Sequence, residues 1–429
     1  MKDKLYNVFR FIGEYSLYGL LFFLAISNAL VEVFVVLIFL GFIGRKIIRP
    51  DFKFLKFWPN IFLFLFLLFS AFSLINSGVY LNISLHALFG KWLQYFGICI
   101  VVQDSVYDPK VMKRSAFVFL FGALLTILSG LGQFFLGTEF LRNRNMTSTN
   151  EGVRAVTSSF SHYNNFGTYL IVVLSLLFGL LLFDSCKFLT LSLICFIISA
   201  ILVILLTFSR GSWLGTIVSF IVLTIFSGKK FKRLIPFIFV VLLLWFLLPV
   251  FNERLFVFKE KLPVVKEGLP VFKEGLSVFK ERLSVFNERL FVTFKEGGDS
   301  DRFRYWLAAW KMIQDHPFFG LGVGTFMANF SKYMPNVSIS YAHNCYLQIW
   351  AETGIFALFS FVGFIVSFVC IGIKRFIVSK DFLLLGLLSG VLGFLAHSFF
   401  DTNLYSLRLA ILFWAWVGLL SVSIKWNNN

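Results

Sequence analysis

The chain has 429 residues, of which 58% are hydrophobic, 19% aromatic and 14% charged, with a mean hydropathy of +0.84. A soluble domain carries about 25% charged residues, so these proportions exclude an ordinary soluble protein and indicate a chain built for lipid. The formal charge of +17 does not require a nucleic-acid partner, because excess Lys and Arg in membrane proteins collect in short cytoplasmic loops.

The basic start (Lys2, Lys4, Arg10) and the apolar run behind it have the form of a signal peptide. Further apolar runs follow at once, so an uncleaved first helix is expected. Runs fall at about 11–27, 29–44, 57–75, 85–103, 115–136, 165–184, 188–207, 212–227, 234–250, 355–373, 383–400 and 405–424. Each is near the ~20 residues that a helix needs to cross a ~30 Å hydrocarbon core. The ten-residue alternation of a spanning barrel is not seen. The predicted fold is therefore an all-α polytopic membrane protein of about twelve spans. Residues 1–250 form a membrane domain with spans one to nine, 251–354 a large extracytoplasmic loop, and 355–429 the last three spans.

Basic clusters fall in alternate loops: Arg45 to Lys56, Lys110 to Arg114, Lys187, Lys229 to Arg233, Lys374 to Lys380, and Lys425. The positive-inside rule places these loops and both termini in the cytoplasm. The opposite face then carries Arg142, Arg144, Arg154, Arg210, Arg302 and Arg304 against that bias, so orientation does not explain them. Of the five cysteines (Cys99, Cys186, Cys195, Cys345, Cys370), none forms a CxxC or a metal spacing, and no disulfide framework is expected.

Residues 251–292 repeat with period seven, and apolar positions from Leu262 to Leu290 alternate by three and four. That is the spacing of an amphipathic helical seam, weakened in its first half by Pro263, Gly268, Pro270 and Gly275. The favoured reading is an expanded insertion that pads the loop; docking beside the site is the alternative. No catalysis is placed there.

Three stretches can carry chemistry. Ser209-Arg210-Gly211-Ser212-Trp213 joins two spans through a short outer turn. Arg210 there either snorkels beside Trp213 or offers a fixed guanidinium to a lipid-linked phosphate. Asp301-Arg302-Phe303-Arg304-Tyr305-Trp306 predicts a helix capped by Asp299 or Ser300, with Arg302, Trp306 and Trp310 on one face. His343-Asn344 lies just before the tenth span, and a neutral imidazole is a competent general base. Ser161-His162-Tyr163-Asn164-Asn165 precedes the sixth span in a similar way, so His162 competes with His343 for that role. His86, His316 and His397 are weaker candidates. Gly320, Gly322 and Gly324 follow no strand, which argues against a nucleotide loop. No His and carboxylate cluster has metal-ligand spacing, and no metal or cofactor is expected.

These motifs, in this order, resemble the O-antigen ligase and polymerase superfamily. The resemblance rests on Phe-Ser-His-Tyr-Asn-Asn-Phe-Gly (Phe160 to Gly167), Ser-Arg-Gly-Ser-Trp, Arg-x-x-x-Trp (Arg302 to Trp306), His-Pro-x-x-Gly-x-Gly, His-Asn-x-Tyr-Leu and Glu-x-Gly (Glu352 to Gly354). It covers about residues 155–360, and the period-seven insertion departs from it. It implies an enzyme of the bacterial inner membrane with its site on the periplasmic face. The implied reaction is inverting, metal-independent transfer of a glycan from undecaprenyl diphosphate to a sugar hydroxyl. The donor is the undecaprenyl-diphosphate-linked glycan; the acceptor is lipid A core for a ligase or a growing glycan for a polymerase, among membrane lipids and with no nucleic acid. His343 is then the expected base, and Arg210 and Arg302 the stabilisers of the leaving diphosphate. Arg154, His162, Asn165, Arg304, Trp306 and Asn344 are the expected substrate-binding residues. Transport is the alternative from another class; it would use intramembrane acids, here mainly Glu14 and Glu32.

Overall fold

The computed structural model describes residues 1–148, 154–183, 186–237, 300–335 and 337–425. The period-seven stretch and most of the predicted ninth span lie outside the described residues. In chain order the helices are α1 (Lys2–Phe23), α2 (Asn28–Ile48), α3 (Asn60–Phe72), α4 (Leu81–Ala87), α5 (Leu93–Ser105), α6 (Pro109–Leu136), α7 (Tyr163–Leu181), α8 (Lys187–Leu206), α9 (Arg210–Phe226), α10 (Ser300–Asp315), α11 (Phe326–Tyr333), α12 (Cys345–Ser379), α13 (Phe382–His397) and α14 (Leu407–Lys425). A π-turn, Leu88–Trp92, joins α4 to α5. Two short antiparallel strands, β1 (Thr147–Ser148) and β2 (Arg154–Ala155), lie before α7.

Six described helical segments are long and apolar enough to cross a bilayer: Gly78–Ser105, Pro109–Leu136, Tyr163–Leu181, Lys187–Leu206, Cys345–Ser379 and Leu407–Ile424. Asn60–Asn76, Arg210–Phe226 and Phe382–His397 are apolar but shorter. Local chemistry sets several starts. Asp108 caps α6 by accepting from Lys110 N at 2.7 Å, with Pro109 in the first turn, where its missing N–H costs nothing. Asp381 caps α13 through Leu383 N at 2.9 Å. The expected tenth span begins earlier than its apolar run. Helix α12 starts at Cys345 and is kinked at Gly354, whose φ is +83°. A Cβ there would overlap the Phe318 carbonyl, so the kink lets the loop pack flush against the helix.

Helices α7 and α14 are almost wholly buried and form the centre. α13 packs on both α7 and α9, α14 on α5, α12 on α3, and α1 on α2 and α6. The α7–α13 and α9–α13 contacts run through Gly179 against Gly386 and Gly215 against Gly393. Small residues let backbones approach where lipid gives no hydrophobic drive to associate.

The loops gather at two ends. At the first, Arg45 bonds the Asp104 carbonyl and Ser105, and Lys230 and Arg233 bond the Leu182 carbonyl; most basic clusters lie here. At the second, Arg408 bonds the Ala25 and Ser159 carbonyls, Val156 N bonds Leu206 O, and Asn76 bonds Gly320 O. All the chemistry-bearing motifs sit at this second end.

Candidate active site

His343 stands immediately before α12. Asn344 caps that helix, its Oδ1 accepting from Tyr346 N and Leu347 N at 3.0 Å each. The cap and a left-handed backbone at His343 (φ +48°) turn the imidazole out of the helix line; non-glycine residues adopt that conformation at a cost and only when their surroundings hold them. His343 Nε2 lies 3.1 Å from Ser340 Oγ. Its Nδ1 lies 3.4 Å from Asp401 Oδ1, too long for a well-formed hydrogen bond.

Asp401 belongs to the loop between α13 and α14. That loop is tied to the start of α12 by Cys345 N donating to Ser398 O at 2.8 Å and by Cys345 Sγ on Asp401 O at 3.3 Å. Asp401 Oδ1 accepts from Thr402 N at 2.8 Å. Burial works to raise the Asp401 carboxyl, but the neighbouring His343 and His397 and the Thr402 N–H outweigh it and hold it down at about 2.

His162 caps α7, its Nδ1 accepting from Asn164 N at 3.2 Å, and its ring stacks on Tyr163 at 4.1 Å. Its side chain is exposed to solvent yet has protein packed densely around it. That crowding lowers its imidazole from the ordinary value, Asp401 opposes the shift, and His343 adds to it. His397 is fully buried, with Nδ1 2.7 Å from Thr168 Oγ1. Three of the five histidines thus gather around Asp401.

The two arginines expected at the reaction centre approach the same cluster. Arg210 is exposed at the first position of α9, which Ser209 caps. Gly211, next to it, lies against His397; a Cβ there would overlap the ring. Arg302, half-buried on α10, is near enough for its charge to act on His397. Ser209 Oγ donates to Asn164 Oδ1 at 2.8 Å, so the starts of α7 and α9 meet. Helix N-termini present N–H groups and a partial positive charge, which favours anions.

The remaining expected residues scatter more. Asn165 is half-buried in the first turn of α7, Arg154 is exposed on β2, and Arg304 is exposed on α10. Trp306 is half-buried, its Nε1 enclosed with no hydrogen-bond partner among the described residues, and meets Phe303 edge-on at 5.6 Å. Asn344 Oδ1 is committed to the cap of α12.

Two motifs turn out to hold each other. Leu321 N and Gly322 N donate to the Ala351 and Glu352 carbonyls at 2.9 and 3.0 Å. The buried Glu352 carboxylate accepts from Gly324 N at 2.8 Å, Gln348 Nε2 at 3.1 Å and Tyr405 OH at 3.2 Å. Gly320 has φ +65°, and a Cβ there would overlap the Glu352 backbone. His-Pro-x-x-Gly-x-Gly and Glu-x-Gly are therefore the two halves of a clasp that docks the segment from 300 to 344 on the bundle.

Asp401, Glu139 and Arg408 were not singled out as site residues from sequence, and His397 was named only as a weaker candidate. Glu139 folds the loop after α6 by accepting from Leu141 N and Arg142 N at 2.6 and 2.8 Å. Arg142 and Arg144 then bear on the buried Arg408, which stacks 4.1 Å from the Phe160 ring. The signal for Asp401 was present: it is an acid in a short turn on the face that carries His343. No curated protein matches the chain. A family model described as O-antigen ligase matches residues 193–362, less than half of the chain but including Arg210, Arg302, His343 and the clasp. Through this segment the chain is similar to the O-antigen ligase family.

Proposed function

We propose that the protein is a membrane glycosyltransferase that moves a glycan from undecaprenyl diphosphate to an acceptor sugar hydroxyl, with lipid A core as the acceptor. The acceptor O–H attacks the anomeric carbon from the face opposite the diphosphate. The carbon–oxygen bond to the diphosphate breaks, undecaprenyl diphosphate leaves, and the anomeric centre inverts. His343 takes the hydroxyl proton, and Arg210 and Arg302 stabilise the charge that develops on the leaving diphosphate. The reacting end faces the periplasm, away from the basic loops.

The observation that carries this reading is the gathering of His343, Arg302 and the Arg210 turn around Asp401 and His397, at one end of a bundle whose helices suit lipid. Hydrogen bonding favours His343 over His162 as the base. His162 Nδ1 accepts from a backbone N–H, so the neutral ring carries its proton on Nε2 and offers a donor rather than a lone pair. Transport is less well supported: Glu14, one of its two candidate acids, is paired with Tyr18, Tyr107 and Arg114 at the opposite end.

The test is a strain lacking the protein, from which lipopolysaccharide and carrier-linked glycan are both extracted. Long chains on the carrier with bare core lipid support the ligase. Single repeat units on the core indicate a polymerase with the same donor chemistry. If neither pool changes, the glycan-transfer reading is wrong.

A further inference from the structure

We propose that α10 is an interfacial helix: Phe303, Leu307 and Trp310 bed in the lipid leaflet at the end that carries the histidines, and this contact holds Arg302 at the depth of the carrier diphosphate. The lipid contact stands on geometry alone; its use in placing Arg302 rests on the transfer reading above.

The argument starts from the two faces of α10. Ala308, Ala309 and Met312 are buried and form one cluster with Phe330 of α11. That face is enough to hold the helix on the protein, and the opposite face would be polar if water covered it. Instead Phe303, Leu307 and Trp310 recur at i, i+4 and i+7 and are 67%, 47% and 45% exposed. Exposed Arg304, Lys311 and Asp315 share one edge of this stripe. An apolar stripe of Phe, Leu and Trp beside a charged edge is the composition of a helix that lies in a membrane interface.

The surface that the stripe joins identifies its occupant. Trp310 meets Trp350 edge-on at 6.0 Å, and Trp350 Nε1 donates to Pro317 O at 3.1 Å. Phe318, next along and exposed, stacks on Phe356 of α12 at 6.0 Å, and Phe319 meets Phe72 of α3 at 5.8 Å. Phe356 begins an exposed row that continues down α12 with Phe359, Val362 and Val366. Helix α12 is long and apolar enough to cross a bilayer, so this row faces lipid. The stripe on α10 continues the same wall.

The bend at Gly354 gives α10 its direction. In a straight helix Tyr346 and Phe361 would lie about 22 Å apart, yet their rings are 6.3 Å apart. The segment from Cys345 to Thr353 therefore folds back across the end of the span. α10 runs alongside it, with Tyr305 5.6 Å from His343 and Trp310 beside Trp350. It thus lies across the end of the span, as a helix in the plane of the interface does. Arg302 immediately precedes Phe303 and is half-buried. A stripe bedded about 5–10 Å into the boundary sets that guanidinium at headgroup level, where the diphosphate of a membrane-bound carrier also lies.

The test attaches an environment-sensitive fluorophore to single cysteines of the full chain in nanodiscs, with the exposed Cys186, Cys195 and Cys370 changed to alanine. Phe303→Cys, Leu307→Cys and Trp310→Cys report on the stripe; Lys311→Cys and Asp315→Cys report on the charged edge. Quenching by lipids spin-labelled at graded depths is expected to put the stripe probes about 5–10 Å inside the headgroup boundary and the edge probes outside it. Stripe probes in water overturn the proposal. Stripe probes shielded from water but quenched by no labelled lipid overturn it too, because protein, from the period-seven segment or a second copy, then covers the stripe. For the placement of Arg302, transfer is measured with carrier-linked glycan and lipopolysaccharide extracted from a strain lacking the protein. Leu307→Asp should lower kcat at least about tenfold, since a displacement of about 1 Å can cost about 10²-fold, and Leu307→Phe should keep it. Full kcat in Leu307→Asp overturns the placement of Arg302. If the unaltered protein transfers no glycan while its stripe probes are quenched by lipid, the transfer reading fails and the interfacial helix stands. If Leu307→Asp does not fold, a probe on Arg302→Cys decides: headgroup depth supports the placement, and any other depth overturns it.

Discussion

Arg45 and Arg408 are both buried arginines in the same bundle, and they are satisfied differently. Arg45, at the basic end, meets Asp104 at 2.9 Å and donates to Ser105 and two carbonyls. Its neighbour Lys46 is paired with Asp51 and Asp104. Arg408, at the other end, donates to the carbonyls of Ala25 and Ser159 and stacks on Phe160, with Arg142 and Arg144 close by. Glu139 and Glu352, the buried glutamates of that end, are occupied by backbone N–H groups. At the basic end, acids neutralise cations. At the histidine end, Glu139 and Glu352 fold loops through backbone N–H groups instead.

The comparison breaks first at His343. His343→Ala should lower transfer by about 10²–10⁴-fold, the usual worth of a positioned base, in protein that still purifies as a folded species; near-normal transfer by that variant would remove the base from the mechanism. Arg210→Ala and Arg302→Lys should each cost about 10²–10³-fold, as the loss of one preorganised charge donor does. The lysine keeps charge but loses the bidentate fork. Full activity in both variants would mean that diphosphate is stabilised elsewhere.

The basic end should answer in stability instead. Asp104→Ala leaves Arg45 and Lys46 without that carboxylate and should destabilise by about 3–5 kcal/mol, with transfer per folded molecule unchanged. A denaturation midpoint equal to that of the unaltered protein would contradict the pairing. Gly320→Ala should cost about 1–3 kcal/mol through strain at a positive φ and loosen the clasp, which limited proteolysis of the segment from 300 to 344 would reveal.

The smallest expected effect is acid sensitivity. Asp401 sits at about 2 against an ordinary 3.8, so the folded state favours the ionised form. The resulting stabilisation, about 2 kcal/mol at most, is fully present above about pH 4 and is lost as pH falls towards 2. Thermal melts at pH 6 and pH 3 should differ less in Asp401→Asn than in the unaltered protein. Equal pH sensitivity in the two would remove Asp401 as the source.

Apolar run length was enough to point to an all-helical polytopic membrane protein, because a bilayer demands about 20 apolar residues whatever the fold, but not to fix every bound: α12 begins at Cys345, ten residues before its apolar run. His343, Arg210 and Arg302 stood out because each sits in a short motif that gives it local meaning. What sequence could not supply was everything that depends on two distant segments meeting. Asp401 looked like one acid in a turn until the α13–α14 loop was bonded to the start of α12. His397 looked like a lone histidine at a span end until Gly211 packed against it. The glycine motif had the composition of a ligand loop, and only its contact with Glu352 revealed a clasp. Lipid dictates helix length from outside and so leaves its mark residue by residue along the chain. Hydrogen bonds between loops depend on how the helices pack, and that is decided only when the whole bundle closes.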